Sequence, residues 1–128
     1  MKTLNKLLKE TNISFENLIE QWKPIVGFKK VVDNIYEVSN YGEVRTIDTK
    51  EIRHKKIATK LYHSYYAVSL KHNTGKLEWV LVHQLVAYFF IPIPKELHEL
   101  IGSHNLVVDH LDNNGLNNIV TNLQWTSR

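Results

Sequence analysis

The chain has 128 residues, 43% of them hydrophobic, no cysteine, and a formal net charge of +3. That is a globular composition with material for one modest core, and it excludes disulfides and Cys-ligated zinc. The longest apolar stretch, Leu85 to Ile93, is too short to cross a bilayer, and no signal-like run opens the chain, so the expectation is a soluble, cytoplasmic protein with no membrane partner.

Residues 1–21 are predicted as a helical extension. Leu4, Leu7, Leu8 and Thr11 share one helical face, and Phe15, Leu18, Ile19 and Trp22 repeat the spacing. Asn12-Ile13-Ser14 interrupts the run, with Ser14 placed to cap a second short helix. From Trp22 the pattern turns to short β-prone runs broken by Pro24, Gly27 and Asn40-Tyr41-Gly42. Residues 36–39 and 43–47 flank Asn40-Tyr41-Gly42 as one hairpin, and residues 65–70 and 77–81 flank Asn73-Thr74-Gly75 as a second. Residues 83–90 read as a short, mostly buried helix ended by Pro92 and Pro94. A polar loop over 95–105, with room for one helical turn, leads to a strand at Leu106–Leu111, a tight turn at 112–115 and a last strand at Asn122–Thr126. Trp79 and Trp125 are read as core.

Charge is unevenly spread. Between Glu43 and Lys76 stand eight Lys/Arg against three acids. Any single lysine there reads as a solvated surface residue. The cluster gains meaning only beside a site that handles a polyanion.

The chemistry-bearing constellation lies near the C-terminal end. Val108-Asp109-His110 closes a β-branched strand and opens into a loop holding Asp112, Asn113, Asn114, Asn117 and Asn118; Asn122 begins Asn122-Leu123-Gln124-Trp125. Buried polar groups must be paired, so so polar a loop between two apolar strands lies on the surface or has a task. Alone, an Asp-His pair at a strand end is usually structural; inside this full pattern the functional reading is the stronger one.

Residues 107–126 resemble the run Val-Asp-His-x-Asp-Gly-Asn-x-x-Asn-Asn then Asn-Leu-x-Trp of the HNH homing endonucleases of phages and phage introns. Val82-His83-Gln84-Leu85-Val86-Ala87 with Phe90-Ile91-Pro92 resembles an upstream segment of that family. Residues 22–28 and 36–45 resemble the small DNA-associated module that often precedes it. The resemblance covers about residues 22–128.

It implies an α+β fold with three parts: the helical extension 1–21, a DNA-contacting antiparallel β module at 22–76, and an HNH ββα-metal unit at 77–128. It implies an HNH-type metal-dependent DNA endonuclease. His110 would be the general base, because a neutral imidazole titrates near working pH. Asp109, pointing to the opposite side of the strand, would supply oxygen to Mg²⁺ or Mn²⁺, with both residues converging on the shared cation. Asn122 would brace the loop through backbone groups, and Asp112 and Asn118 would shape it through Asx-type bonds. Arg45, Lys50, Arg53, Lys55, Lys56 and Lys60 would grip double-stranded DNA through its phosphates. A single-metal site acts on one strand at a time, so nicking is the expected outcome; a phage-encoded chain would act in host cytoplasm. His54, with Arg53, Lys55 and Lys56, could touch phosphate or equally face solvent, His83 is expected to cap or pack, and His98 and His104 carry no assignment.

Two departures from the family pattern matter. Its turn glycine is Asn113 here, a residue that tolerates positive φ. Its final metal-ligating helix would follow Trp125, where this sequence reads Thr126-Ser127-Arg128. The expectation is therefore a ββα unit lacking its last helix and one metal ligand. The face holding Leu106, Val108, Leu123 and Trp125, or its alternate, would need cover from a second chain or from residues 1–21, with Asn5, Asn12 or Asn17 as substitute ligands in the latter case. The alternative function is a catalytically degenerate DNA-binding or virion-associated protein on the same scaffold.

Overall fold

Among the residues that the computed structural model describes, 19–47 and 54–128, no strand exceeds seven residues. Strands this short gain stability only by pairing and by packing on a neighbour. They pair into three small antiparallel sheets. The first contains β1 (Trp22–Pro24), β2 (Tyr36–Ser39) and β3 (Val44–Thr46), in that order. The second contains β4 (Lys60–Tyr62), β5 (Tyr65–Lys71) and β6 (Leu77–Leu81). The third is a two-stranded ribbon of β7 (Leu106–His110) and β8 (Leu123–Ser127).

The helix α1 (Val82–Phe90) stands between them and touches β2, β5, β6, β7 and β8. At nine residues it is too short to persist by propensity alone. Val82, Leu85 and Val86, at i, i+3 and i+4, are fully buried and tie it to the core. The helix stops where Ile91 turns extended, donating its N–H to the Ala87 carbonyl, and Pro92 forbids another turn. One core joins all three sheets: Val38 and Val44 from the first, Val68, Leu70 and Val80 from the second, and Leu123 from the ribbon. Each such aliphatic side chain contributes about 1.5–3 kcal/mol by leaving water.

Both expected hairpins are present. Val38 pairs with Val44 around the Asn40-Tyr41-Gly42 turn, and Lys71 pairs with Leu77 around the second. The division at 76/77 falls inside that second hairpin. Several expectations need correction. Ile19, Glu20 and Gln21 are not helical, and Trp22 opens β1 instead of extending a helix. Residues 1–18, with the rest of the expected helix, lie outside the described residues, as do Lys50 and Arg53. Strands β1 and β4 were not anticipated. A 3-10 turn at Val120–Asn122 delays the last strand to Leu123, and β7 ends at His110, before Leu111. Trp79 is not core: it alternates outward from buried Val80 and is 52% exposed. Trp125 is half-buried, its indole N–H donating to the Ile91 carbonyl.

Candidate functional site

Pleat alternation gives the ribbon two unlike faces. Val108 pairs with Trp125 and His110 with Leu123, and this set packs towards α1. Asp109 pairs with Gln124 on the opposite face, where both are exposed. Part of the apolar ribbon face has cover in α1, which meets it where Leu123 is buried, while Leu106, Val108 and Trp125 stay partly exposed and line a groove. Among the described residues, the Asp109 side chain hydrogen-bonds Gln124 Nε2, at 3.3 Å. His110 is 6% exposed, so the two neighbours part to opposite sides of one strand. Their convergence on one cation is not seen as a ligand cluster: no group of three metal-ligating side chains occurs among the described residues.

The His110 ring is held on three sides. Its Nε2 lies 2.9 Å from Asn118 Oδ1. An amide oxygen facing the ring suits a proton on Nε2, an arrangement that would leave Nδ1 as the accepting nitrogen. Tyr65 stacks on the ring at 5.7 Å and 23°. His83, from the first turn of α1, meets it edge-on at 5.0 Å. His83 packs, with no side-chain cap on the helix, and its buried Nδ1 has no hydrogen-bond partner. Burial, the neighbouring His110 and the Lys29 charge push the His83 pKa down from 6.5 to about 4. It therefore stays neutral beside His110 near neutral pH.

The loop between β7 and β8 is tied by side chains. The Asn122 amide accepts from the Asp112 backbone N–H and donates to Asp112 Oδ1 and to the Asn117 carbonyl. Asp112 also receives the Asn114 N–H, closing an Asx turn. The Asn117 side chain first, then the Asn114 backbone and Asn122, hold the Asp112 pKa below its ordinary value. Asn113 has φ of +60°, the conformation expected for the residue at the family's glycine position. Asn118 departs from its expected Asx role: it faces His110. Gly115 lies against the β4–β5 turn, where a Cβ would overlap the Ser64 carbonyl and crowd the Tyr65 ring. Tyr65 was missed as a site residue in the sequence, since only the folding of the β4–β5 turn against the Gly115 loop brings its ring to His110.

The basic residues fare differently from one another. Arg45 lies over the Trp22 ring at 3.7 Å and bonds Glu37 at 2.6 Å. Lys56 pairs with Glu43 at 3.0 Å, and His54 Nδ1 lies 3.0 Å from the Thr46 carbonyl. Trp22, Glu43, Arg45, His54 and Lys56 line a concavity of about 520 Å³ together with Tyr41 and Glu20. Lys55 and Lys60 are exposed, and the Lys60 ammonium lies 5.4 Å from the Trp79 ring centre. A separate groove of about 770 Å³ runs behind the site, with Tyr65, His83, Tyr88 and Trp125 among its walls.

Among protein families, the NUMOD4 motif matches residues 20–71. The chain is 34% identical over 110 residues to an uncharacterized HNH endonuclease of Acanthamoeba polyphaga mimivirus, covering 86% of this chain and 28% of that one. It is 35% identical over 108 residues to the DNA endonuclease I-HmuI of Bacillus phage SP01, covering 84% of this chain and 53% of the relative. The chain thus spans between about a quarter and about half the length of these relatives. A solved structure of the HNH homing endonuclease I-HmuI, concerned with DNA binding and cleavage, superposes with a TM-score of 0.61 at 34% identity, over 84% of this chain and 52% of that one.

Proposed function

The chain belongs to the HNH endonuclease family, and on that premise we propose that it carries the centre of a metal-dependent DNA endonuclease that nicks one strand at a time. The observation that carries this reading is the His110 ring, committed through Nε2 to Asn118 at the tip of a ribbon whose other face offers Asp109 to solvent.

His110 acts as general base. With Nε2–H donated to Asn118, Nδ1 takes the proton of a water that adds to phosphorus while the P–O ester bond breaks, and the departing sugar oxygen takes a proton from solvent to leave as the alcohol. Stacking on Tyr65 and contact with His83 restrict the ring to one orientation, which lowers the entropy lost on reaching the transition state. Asn122 and Asp112 hold the loop from which Asn118 reaches the ring. Asp109 fits a hard cation: it is an exposed carboxylate with one long hydrogen bond, and Mg²⁺-type ions accept one or two carboxylates while keeping waters and substrate oxygens. Held by Asp109, such an ion would supply charge stabilisation at the phosphate.

The DNA backbone is gripped by Lys55 and Lys60 and by the outward face of the second sheet, where Tyr62, Leu77 and Trp79 are exposed. Arg45 and Lys56 make a smaller contribution, because Glu37 and Glu43 already neutralise them. Residues 20–71, with the exposed Leu77 and Trp79 of β6, serve this DNA-contacting part, and the segment from α1 to β8 carries the chemistry.

The test is conversion of supercoiled plasmid to open circle in Mg²⁺ or in Mn²⁺ at high concentration, with His110→Ala alongside. The expected result is nicking by the unmodified chain and a rate lower by about 10²–10⁴-fold in the variant. Equal rates would overturn the assignment of His110. No nicking, with salt-sensitive DNA binding retained, would replace the enzyme by a DNA-binding protein on the same scaffold. Neither nicking nor binding would end both readings.

A further inference from the structure

Asn118 is squeezed between two parts of the fold that lie far apart in sequence. On one side its amide oxygen meets His110 Nε2. On the other stands the Asn40-Tyr41-Gly42 turn between β2 and β3. Gly42 has φ of +86°, and a Cβ there would come within 2.9 Å of the Asn118 Cβ and 3.1 Å of its carbonyl oxygen. A methyl group has no room, so the turn backbone itself forms the wall against which Asn118 rests. Two residues on, the Val120 N–H donates to the Asn40 carbonyl at 2.8 Å, fixing the chain just past Asn118.

Asn40 is itself immobilised. It is 2% exposed, its Oδ1 accepts the Gln21 N–H at 2.7 Å, and its Nδ2 donates to the Ile19 carbonyl at 3.0 Å. The wall behind Asn118 is therefore anchored within the first sheet and the segment leading into it. Asn118 is 6% exposed and has little space to adopt another rotamer.

We propose that Gly42 and Asn118 are positioning residues for His110: the Asn40–Gly42 turn fixes Asn118, and the Asn118 amide oxygen fixes the tautomer and orientation of the imidazole. The module that looks like a separate DNA-contacting unit is then also a wall of the reaction centre. The catalytic consequence rests on His110 being the base, as proposed above; the ring geometry does not.

Gly75 supplies an internal control. It has the same φ of +86°, in the second hairpin, but a Cβ there would meet nothing within 4 Å. Alanine at either position imposes the same backbone strain, and only Gly42→Ala pushes on Asn118. The experiment is long-range ¹H–¹⁵N correlation of the histidine rings in the full chain, paired with nicking kinetics. In the unmodified chain and in Gly75→Ala, His110 should be a single Nε2–H tautomer. In Gly42→Ala and Asn118→Ala it should become a tautomer mixture, with kcat about tenfold lower and KM within twofold. Asn118→Asp keeps an acceptor oxygen and should restore the single tautomer. The proposal is overturned if Gly42→Ala leaves the His110 ring spectrum like that of Gly75→Ala. Should Gly42→Ala fail to fold, the Asn118 pair decides: identical ring spectra for Asn118→Ala and Asn118→Asp would reject it. A tautomer that follows these substitutions in a chain without nicking activity would reject the endonuclease reading and leave the coupling standing.

Discussion

The two faces of the β7–β8 ribbon share a backbone and differ in almost everything else. The inner face places Val108, Leu123 and Trp125 against α1 and gives His110 a buried seat among Tyr65, His83 and Asn118. The outer face holds Asp109 and Gln124 in solvent, joined by one long bond. On the function proposed above, one strand would serve two demands that conflict at any single position. A general base needs a fixed ring and a chosen tautomer, which burial supplies. A carboxylate meant for a hydrated cation needs access, which burial would deny. Period-2 alternation satisfies both with adjacent residues.

If this division holds, damage to the outer face should cost activity without stability, and damage to the inner face should cost stability. The largest effect is expected for Asp109→Ala. Loss of the carboxylate should slow nicking by about 10²-fold or more, the scale on which removal of one transition-state electrostatic contact acts. Unfolding free energy should stay within about 0.5 kcal/mol of the parent chain, as for surface substitutions generally. A large drop in stability on urea titration would mean that Asp109 is structural, and the contrast between the faces would fail. The next effect is Leu123→Ala, directly opposite His110. Leu123 is 5% exposed within the core cluster, and its truncation should cost about 2–5 kcal/mol. An unchanged urea midpoint would mean that the inner face does not depend on its apolar packing.

Much of this ribbon was legible in the sequence because its signals are local. Val107-Val108-Asp109-His110 reads as a strand running into a polar loop, and Asn122-Leu123-Gln124-Trp125 fixes the return. The opposed directions of Asp109 and His110 follow from their adjacency. The hairpins were legible through Asn40-Tyr41-Gly42 and Asn73-Thr74-Gly75, and α1 through the Val82, Leu85, Val86 spacing ahead of Pro92. Strands β1 and β4 were not, since three residues carry no period and are strands only by virtue of a partner. The outward turn of Trp79 was available from its alternation with Val80. Arg45 and Lys56 looked like free DNA-binding charges because Glu37 and Glu43 become their partners only through β2–β3 register and chain folding. The role of Asn118 was misjudged for the same reason. Nothing local says that its oxygen turns towards His110 and that Gly42 stands behind it.

Acid should separate the faces again, with a smaller effect. The inner face holds His83 neutral, its pKa pushed down to about 4 mainly by burial. An unfolded His83 titrates near its ordinary 6.5, so between these values the unfolded chain binds a proton that the folded chain refuses. The stability tied to His83 is therefore complete above about pH 6.5 and declines as pH falls towards 4, by up to about 1.4 kcal/mol per pH unit. Asp112, in the loop at the ribbon tip, behaves in the opposite sense of charge. Hydrogen bonds from Asn117, Asn114 and Asn122 favour its ionised form, so its contribution is complete above the ordinary aspartate range and is lost as pH falls through that range and below it. Acidification should thus loosen the packing around His110 before it loosens the loop. Urea midpoints from pH 7.5 to 4.5 should fall less steeply in His83→Phe than in the parent, because the variant has lost the group that must stay uncharged. Parallel slopes would place the acid sensitivity elsewhere, and the inner face would then owe nothing to the neutrality of His83.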